Sequence, residues 1–86
     1  MVSYRIEWRK STRKDFRRIP QHDVNKIISA VEELVFDPFP SGYTKMSGSE
    51  RAFRIRVGNY RVIYEVVADL LIIEVIKVGH RREVYR

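Results

Sequence analysis

Three arginines stand at positions 54, 56 and 61, on either side of the dipeptide Gly58-Asn59. Phe53, Ile55 and Val57 alternate with the first two, and Tyr60, Val62, Tyr64 and Val66 continue the alternation after the dipeptide, the period-two pattern of strands with one buried face. A glycine-first two-residue loop suits a tight hairpin turn. In that hairpin Val57 pairs with Tyr60, Arg56 lies directly opposite Arg61, and Arg54 shares their face. Phe53, Ile55, Val57, Tyr60 and Val62 form the opposite, core-facing surface. Three guanidinium groups on one face can hold phosphate through paired hydrogen bonds. Like charges directly opposite cost about 0.2–1 kcal/mol, a loss that a domain of about 5–15 kcal/mol total stability tolerates. The competing reading is a solvated face whose arginines splay apart or pair with Glu65 or Glu74.

The tail adds a second group: Gly79-His80-Arg81-Arg82-Glu83-Val84-Tyr85-Arg86. Gly79 lets the chain turn at a strand end. His80 brings the side-chain type that changes charge near neutral pH. Arg81 and Arg82 add fixed charge, and Tyr85 can stack on a base or hydrogen-bond a hydroxyl. Read singly, Tyr85 is a packing aromatic and His80 a surface residue.

The net charge of +6 is concentrated in blocks. Residues 9–18 hold Arg9, Lys10, Arg13, Lys14, Arg17 and Arg18 against one acid, Asp15. Residues 51–61 hold four arginines and no acid, and residues 77–86 four cations against Glu83. Clustered cations that neutralise phosphates release counterions, so the blocks point to a polyanion partner. The alternative is a solubilising surface. Arginine outnumbers lysine by more than two to one, which leans toward phosphate.

At 86 residues the chain is one domain, 1–86, with 44% hydrophobic residues for a packed core. Without cysteine it has neither a disulfide framework nor a thiolate metal site, and His22 and His80 are its two histidines. No metal and no cofactor is expected. The apolar runs fall short of a membrane span and Met1 to Lys10 lacks a signal-peptide core, so the sequence reads as soluble and cytoplasmic.

The elements that must position the arginines follow from periodicity. Tyr4, Ile6 and Trp8 alternate as an opening strand. Thr12 and Asp15 resemble a capping box for a short basic helix carrying Phe16 and Ile19, and Pro20 ends it or starts the next. Val24, Ile27, Ile28, Val31, Leu34 and Val35 make the buried stripe of an amphipathic helix. Asp37 to Gly42 stop it, and the stretch to Glu50 reads as a loop. After the hairpin, Leu70 to Ile76 is almost unbroken apolar, as a central strand covered on both faces would be. The order β-α-α-β-β-β predicts an α+β fold, an antiparallel sheet packed against two N-terminal helices.

With this order, the run Phe53 to Val66 and the run Val78 to Tyr85, the chain resembles the RelE/ParE superfamily of bacterial and archaeal type II toxins, most closely the RelE branch. The resemblance spans nearly all of the chain, and the hairpin is its most specific part. It implies a ribosome-dependent endoribonuclease that cuts mRNA in the decoding site without a metal, by attack of the RNA 2′-hydroxyl on the adjacent phosphate. Arg54, Arg56 and Arg61 match the basic positions of the hairpin, Arg81 the tail arginine and Tyr85 the tail tyrosine; His80 falls where relatives carry another basic group. Relatives carry lysines at the positions of Arg54 and Arg56, and arginine does not readily lose a proton. Proton transfer then falls to His80, Tyr85 or solvent. The basic block 9–18 and Arg82 would bind ribosomal RNA. A cognate RelB-like antitoxin on a separate chain is implied, in a heterodimer or heterotetramer. Two other readings share the fold: a ParE-like inhibitor of DNA gyrase, and a toxin homologue that holds RNA without cutting it.

Overall fold

The computed structural model describes residues 3–80. Strand β1 (Arg5–Trp8) leads into helix α1 (Lys10–Phe16) and then helix α2 (Gln21–Glu33). A two-residue strand β2 (Thr44–Lys45) precedes β3 (Ala52–Val57), β4 (Tyr60–Val67) and β5 (Ile72–His80). The five strands form one sheet in the order β1-β5-β4-β3-β2, antiparallel except for β1, which runs parallel to β5. The expected α+β class and element order are present. The parallel β1 and the short β2, inside a stretch read as loop, are additions that alternation alone does not reveal.

The amphipathic stripe of α2 packs on the sheet as its spacing requires. Val24, Ile27, Val31 and Leu34 are buried against Phe53, Ile55, Val62, Tyr64, Val66, Ile73, Val75 and Val78. Truncating a side chain as enclosed as Ile27 to alanine costs about 2–5 kcal/mol. Tyr64 donates from its buried hydroxyl to the Pro38 carbonyl at 2.6 Å. Phe39 and Tyr43 meet Phe53 edge-on, at 4.9 and 5.9 Å between ring centres. These contacts tie the segment after α2 to the sheet and bring β2 alongside β3.

Two local expectations change. Thr12 and Asp15 form no capping box: Arg9 is the N-cap and Thr12 Oγ1 donates backward to its carbonyl at 2.6 Å. The Asp15 carboxylate instead accepts from the Val78 amide at 3.0 Å. The apolar run at 70–76 is not a strand covered on both faces. Leu70 and Leu71 are exposed, in a 3-10 turn that ends with Leu71 at φ 55°, and the strand starts at Ile72. Among the described residues neither helix packs on the other face of β5, where Ile72, Glu74 and Ile76 are half-buried. Among the described residues no helix is long and apolar enough to cross a membrane.

Candidate functional site

The hairpin turn closes as its residues require. Gly58 has φ 60° while Asn59 stays out of the positive-φ region, the combination of a type II′ turn that glycine enters without steric cost. The register follows: Val57 opposite Tyr60, Arg56 opposite Arg61, Arg54 opposite Ile63. Across β4 the ladder continues to β5, with Gly79 opposite Arg61 and Lys77 opposite Ile63. Paired residues share a face. Arg54, Arg56, Arg61 and Lys77 therefore occupy one block of the face turned away from the core. Glu7, Glu74 and Glu65 pair in a row at its far end, and there Glu74 accepts from Arg9 Nε at 3.3 Å.

The three arginines differ in environment. Arg56 is exposed, Arg54 is half-buried, and Arg61 is only 3% exposed. Arg54 and Arg61 each engage neighbours within the fold. A guanidinium already withdrawn from water acts on an arriving anion through a lower effective dielectric than a surface one does. Gly79 does not turn the chain: it lies inside β5, buried opposite Arg61.

His80 stands apart from this block. It pairs with Tyr60, so its register is that of the helix-side face, and the two rings meet edge-on at 6.0 Å. Tyr60 donates to Asp23 Oδ2 at 3.1 Å, and Asp23 Oδ1 lies 3.1 Å from His22 Nε2. Burial, then the hydrogen bond and charge of Asp23, raise the Tyr60 phenol above its ordinary value. The imidazole lines a cleft of about 120 Å³ with Asp15, Arg18, Tyr60 and Lys77. The separation is a matter of parity, since residue 61 pairs with 79 and residue 60 with 80. Arg81, Arg82 and Tyr85 lie outside the described residues.

The basic block Arg9, Lys10, Arg13, Lys14, Arg17 and Arg18 is exposed throughout. Sequence distance misleads about its place, because α1 packs along β5 and Arg18 lines the same cleft as Lys77 and His80. Lys77 is a cation whose register with the arginines sequence reasoning missed, and its ammonium lies 3.6 Å from Asp15 Oδ1. Its signal was the hairpin register carried one strand further, hidden by a bulge at Ile76, where pairing steps from Ile63–Lys77 to Tyr64–Val75. Chemically, the arginine face can bind and stabilise a polyanion, and none of its guanidinium groups serves as a proton acceptor at neutral pH.

A family model described as the ParE toxin of the type II toxin–antitoxin system parDE matches residues 6–85. Toxin RelE3 of Methanocaldococcus jannaschii is 31% identical over 85 residues, covering 94% of each chain. The RelE–RelB complex of Pyrococcus horikoshii contains a chain that superposes with a TM-score of 0.81 at 26% identity, over 93% of this chain and 97% of that one. The RelB–RelE complex of Methanococcus jannaschii gives 0.70 at 30% identity, over 92% and 94%. A match across nearly the whole sequence, joined to relatives alike in both sequence and fold, means that this chain belongs to the ParE toxin family of type II toxin–antitoxin systems and is RelE-like within that superfamily.

Proposed function

We propose that this toxin is an endoribonuclease that cuts mRNA on the ribosome and so inhibits translation. The observation that carries the reading is the pairing of Arg56 with Arg61, with Arg54 beside them on the sheet face turned away from the core. In the reaction the 2′-oxygen of one nucleotide bonds to the adjacent phosphorus and the bond to the 5′-oxygen breaks. The products are a 2′,3′-cyclic phosphate and a 5′-hydroxyl. Charge accumulates on the phosphoryl oxygens in between, and fixed cations held before the substrate arrives stabilise it; removing one such donor costs on the order of 10²–10³ in rate. With arginines at these positions, the 2′-hydroxyl proton passes to solvent or to a group outside the arginine face. Tyr85 and Arg81 complete the site as the family resemblance implies. His80, beside Tyr60 on the helix-side face, acts through the cleft it shares with Arg18 and Lys77 rather than on the scissile phosphate.

The exposed cations of residues 9–18 hold ribosomal RNA, and the partner that silences the toxin is a RelB-like antitoxin, a reading supported by relatives solved in complex with RelB. The reading is tested by primer extension on mRNA in programmed ribosomes. Codon-spaced cuts by the wild type, lost in Arg56→Ala, support it. Intact mRNA together with inhibition of purified gyrase in a supercoiling assay would move the chain to the activity of the ParE branch.

A further inference from the structure

Strand β1 pairs with β5 over Ile72 to Val75, and among the described residues no strand lies beside the outer edge of β5 from Ile76 onward. Helix α1 covers that edge instead. The Arg9 amide donates to the Val75 carbonyl at 3.0 Å, Ser11 Oγ to the Ile76 carbonyl at 3.3 Å, and the Val78 amide donates to Asp15 Oδ2 at 3.0 Å. Asp15 Oδ1 lies 3.6 Å from Lys77 Nζ, and the carboxylate is largely buried, its side chain 16% exposed. Asp15 is the sole acid among the six cations of residues 9–18. It sits in the last turn of α1, where the helix dipole disfavours a negative charge. An acid kept there against the dipole and drawn into the structure serves a contact beyond its own helix.

We propose that Asp15 is a positioning residue: its carboxylate takes the place of a strand partner and holds residues 77–80 of β5 in register behind the bulge at Ile76. That register sets Gly79 against Arg61 and fixes the point from which the chain runs on into Arg81. The inference deepens the ribonuclease reading and rests on it for its catalytic half.

The test uses the full chain and two variants, Asp15→Ala and Asp15→Asn, the second retaining shape and an acceptor oxygen. Amide exchange is read at Val78, with Ile73 and Val75 as references inside the sheet. Single-turnover cleavage on programmed ribosomes gives the rate and the half-saturating toxin concentration. In Asp15→Ala the Val78 amide is expected to exchange at least about 10-fold faster with the references unchanged, and the cleavage rate to fall about 10- to 100-fold at constant half-saturation, the loss expected of a site displaced by about 1 Å. Asp15→Asn should lie between wild type and alanine on both readouts, and it decides the matter if Asp15→Ala fails to fold. Unchanged Val78 exchange overturns the clasp, and faster exchange with unchanged cleavage overturns the positioning role. A wild type that cuts no mRNA refutes the ribonuclease reading and the catalytic half with it, while the exchange data still decide the clasp.

Discussion

Replacing Arg56 by threonine should separate what the arginine face does for folding from what it does for chemistry. Arg56 is exposed and stands directly opposite Arg61, so it contributes like-charge repulsion and little buried area. Relieving a directly opposed like pair returns about 0.2–1 kcal/mol, and threonine suits a strand position at least as well as arginine does. For a domain of this size each kcal/mol moves the melting temperature by roughly 4–8 °C. Arg56→Thr is thus expected to melt about 1–8 °C higher than the wild type by calorimetry at low salt, with the difference shrinking as salt screens the pair. The same variant should cut mRNA on the order of 10²–10³ more slowly. Opposite signs in the two measurements identify a position held for function at the expense of stability. A variant that melts lower, or that cuts as fast as the wild type, would refute the reasoning.

Gly58→Ala isolates backbone strain, because an added Cβ meets nothing within 4 Å while φ stays at 60°; a loss of about 1–2 kcal/mol in denaturant unfolding is expected, and an unchanged midpoint would mean the turn is not as described. Tyr64→Phe removes the buried hydrogen bond to Pro38 and should cost about 1–3 kcal/mol at neutral pH. Burial, with Asp37 and Tyr43 adding to it, raises the Tyr64 phenol well above its ordinary 10.0. A raised folded value stabilises fully below the unfolded one, so wild-type stability should fall by about 1.4 kcal/mol per unit as pH climbs past 10 toward the folded value. The phenylalanine variant should lack that share of the fall, and parallel pH curves for the two proteins would contradict the assignment. Replacing Arg13 and Arg17 by alanine should lower ribosome affinity and reduce the slope of log affinity against log salt by up to about 2, measured by sedimentation across a salt series; an unchanged slope would leave the basic block 9–18 out of RNA binding.

The sequence made the hairpin legible in full because two local signals agreed on it. Alternation chose the faces, and the Gly58-Asn59 loop set the register, so Arg56 opposite Arg61 could be read without knowing any other part of the fold. The stripe of α2 was equally legible, since burial at helical spacing has one solution. What escaped depends on partners distant in the chain. The alternation of Tyr4 to Trp8 marks a strand but not its neighbour, and so hid the parallel pairing with β5. Thr12 and Asp15 have the spacing of a cap, yet Asp15 is drawn to an edge amide of Val78 that only tertiary packing supplies. Leu70 and Leu71 look like core by composition but fall in the turn before β5. The family resemblance of the tail sets His80 with the arginines, whereas strand parity sends it to the face of Tyr60.

Programmed ribosomes loaded with two mRNAs that differ at one atom would test the central claim most directly. One carries ribose throughout; the other has a single 2′-deoxy nucleotide on the 5′ side of the mapped cut. If the arginine face stabilises attack by the RNA's own hydroxyl, the first is cut to a cyclic phosphate end and the second stays whole at that position. Equal cutting of both, or a product ending in a free 3′-hydroxyl, would contradict the account.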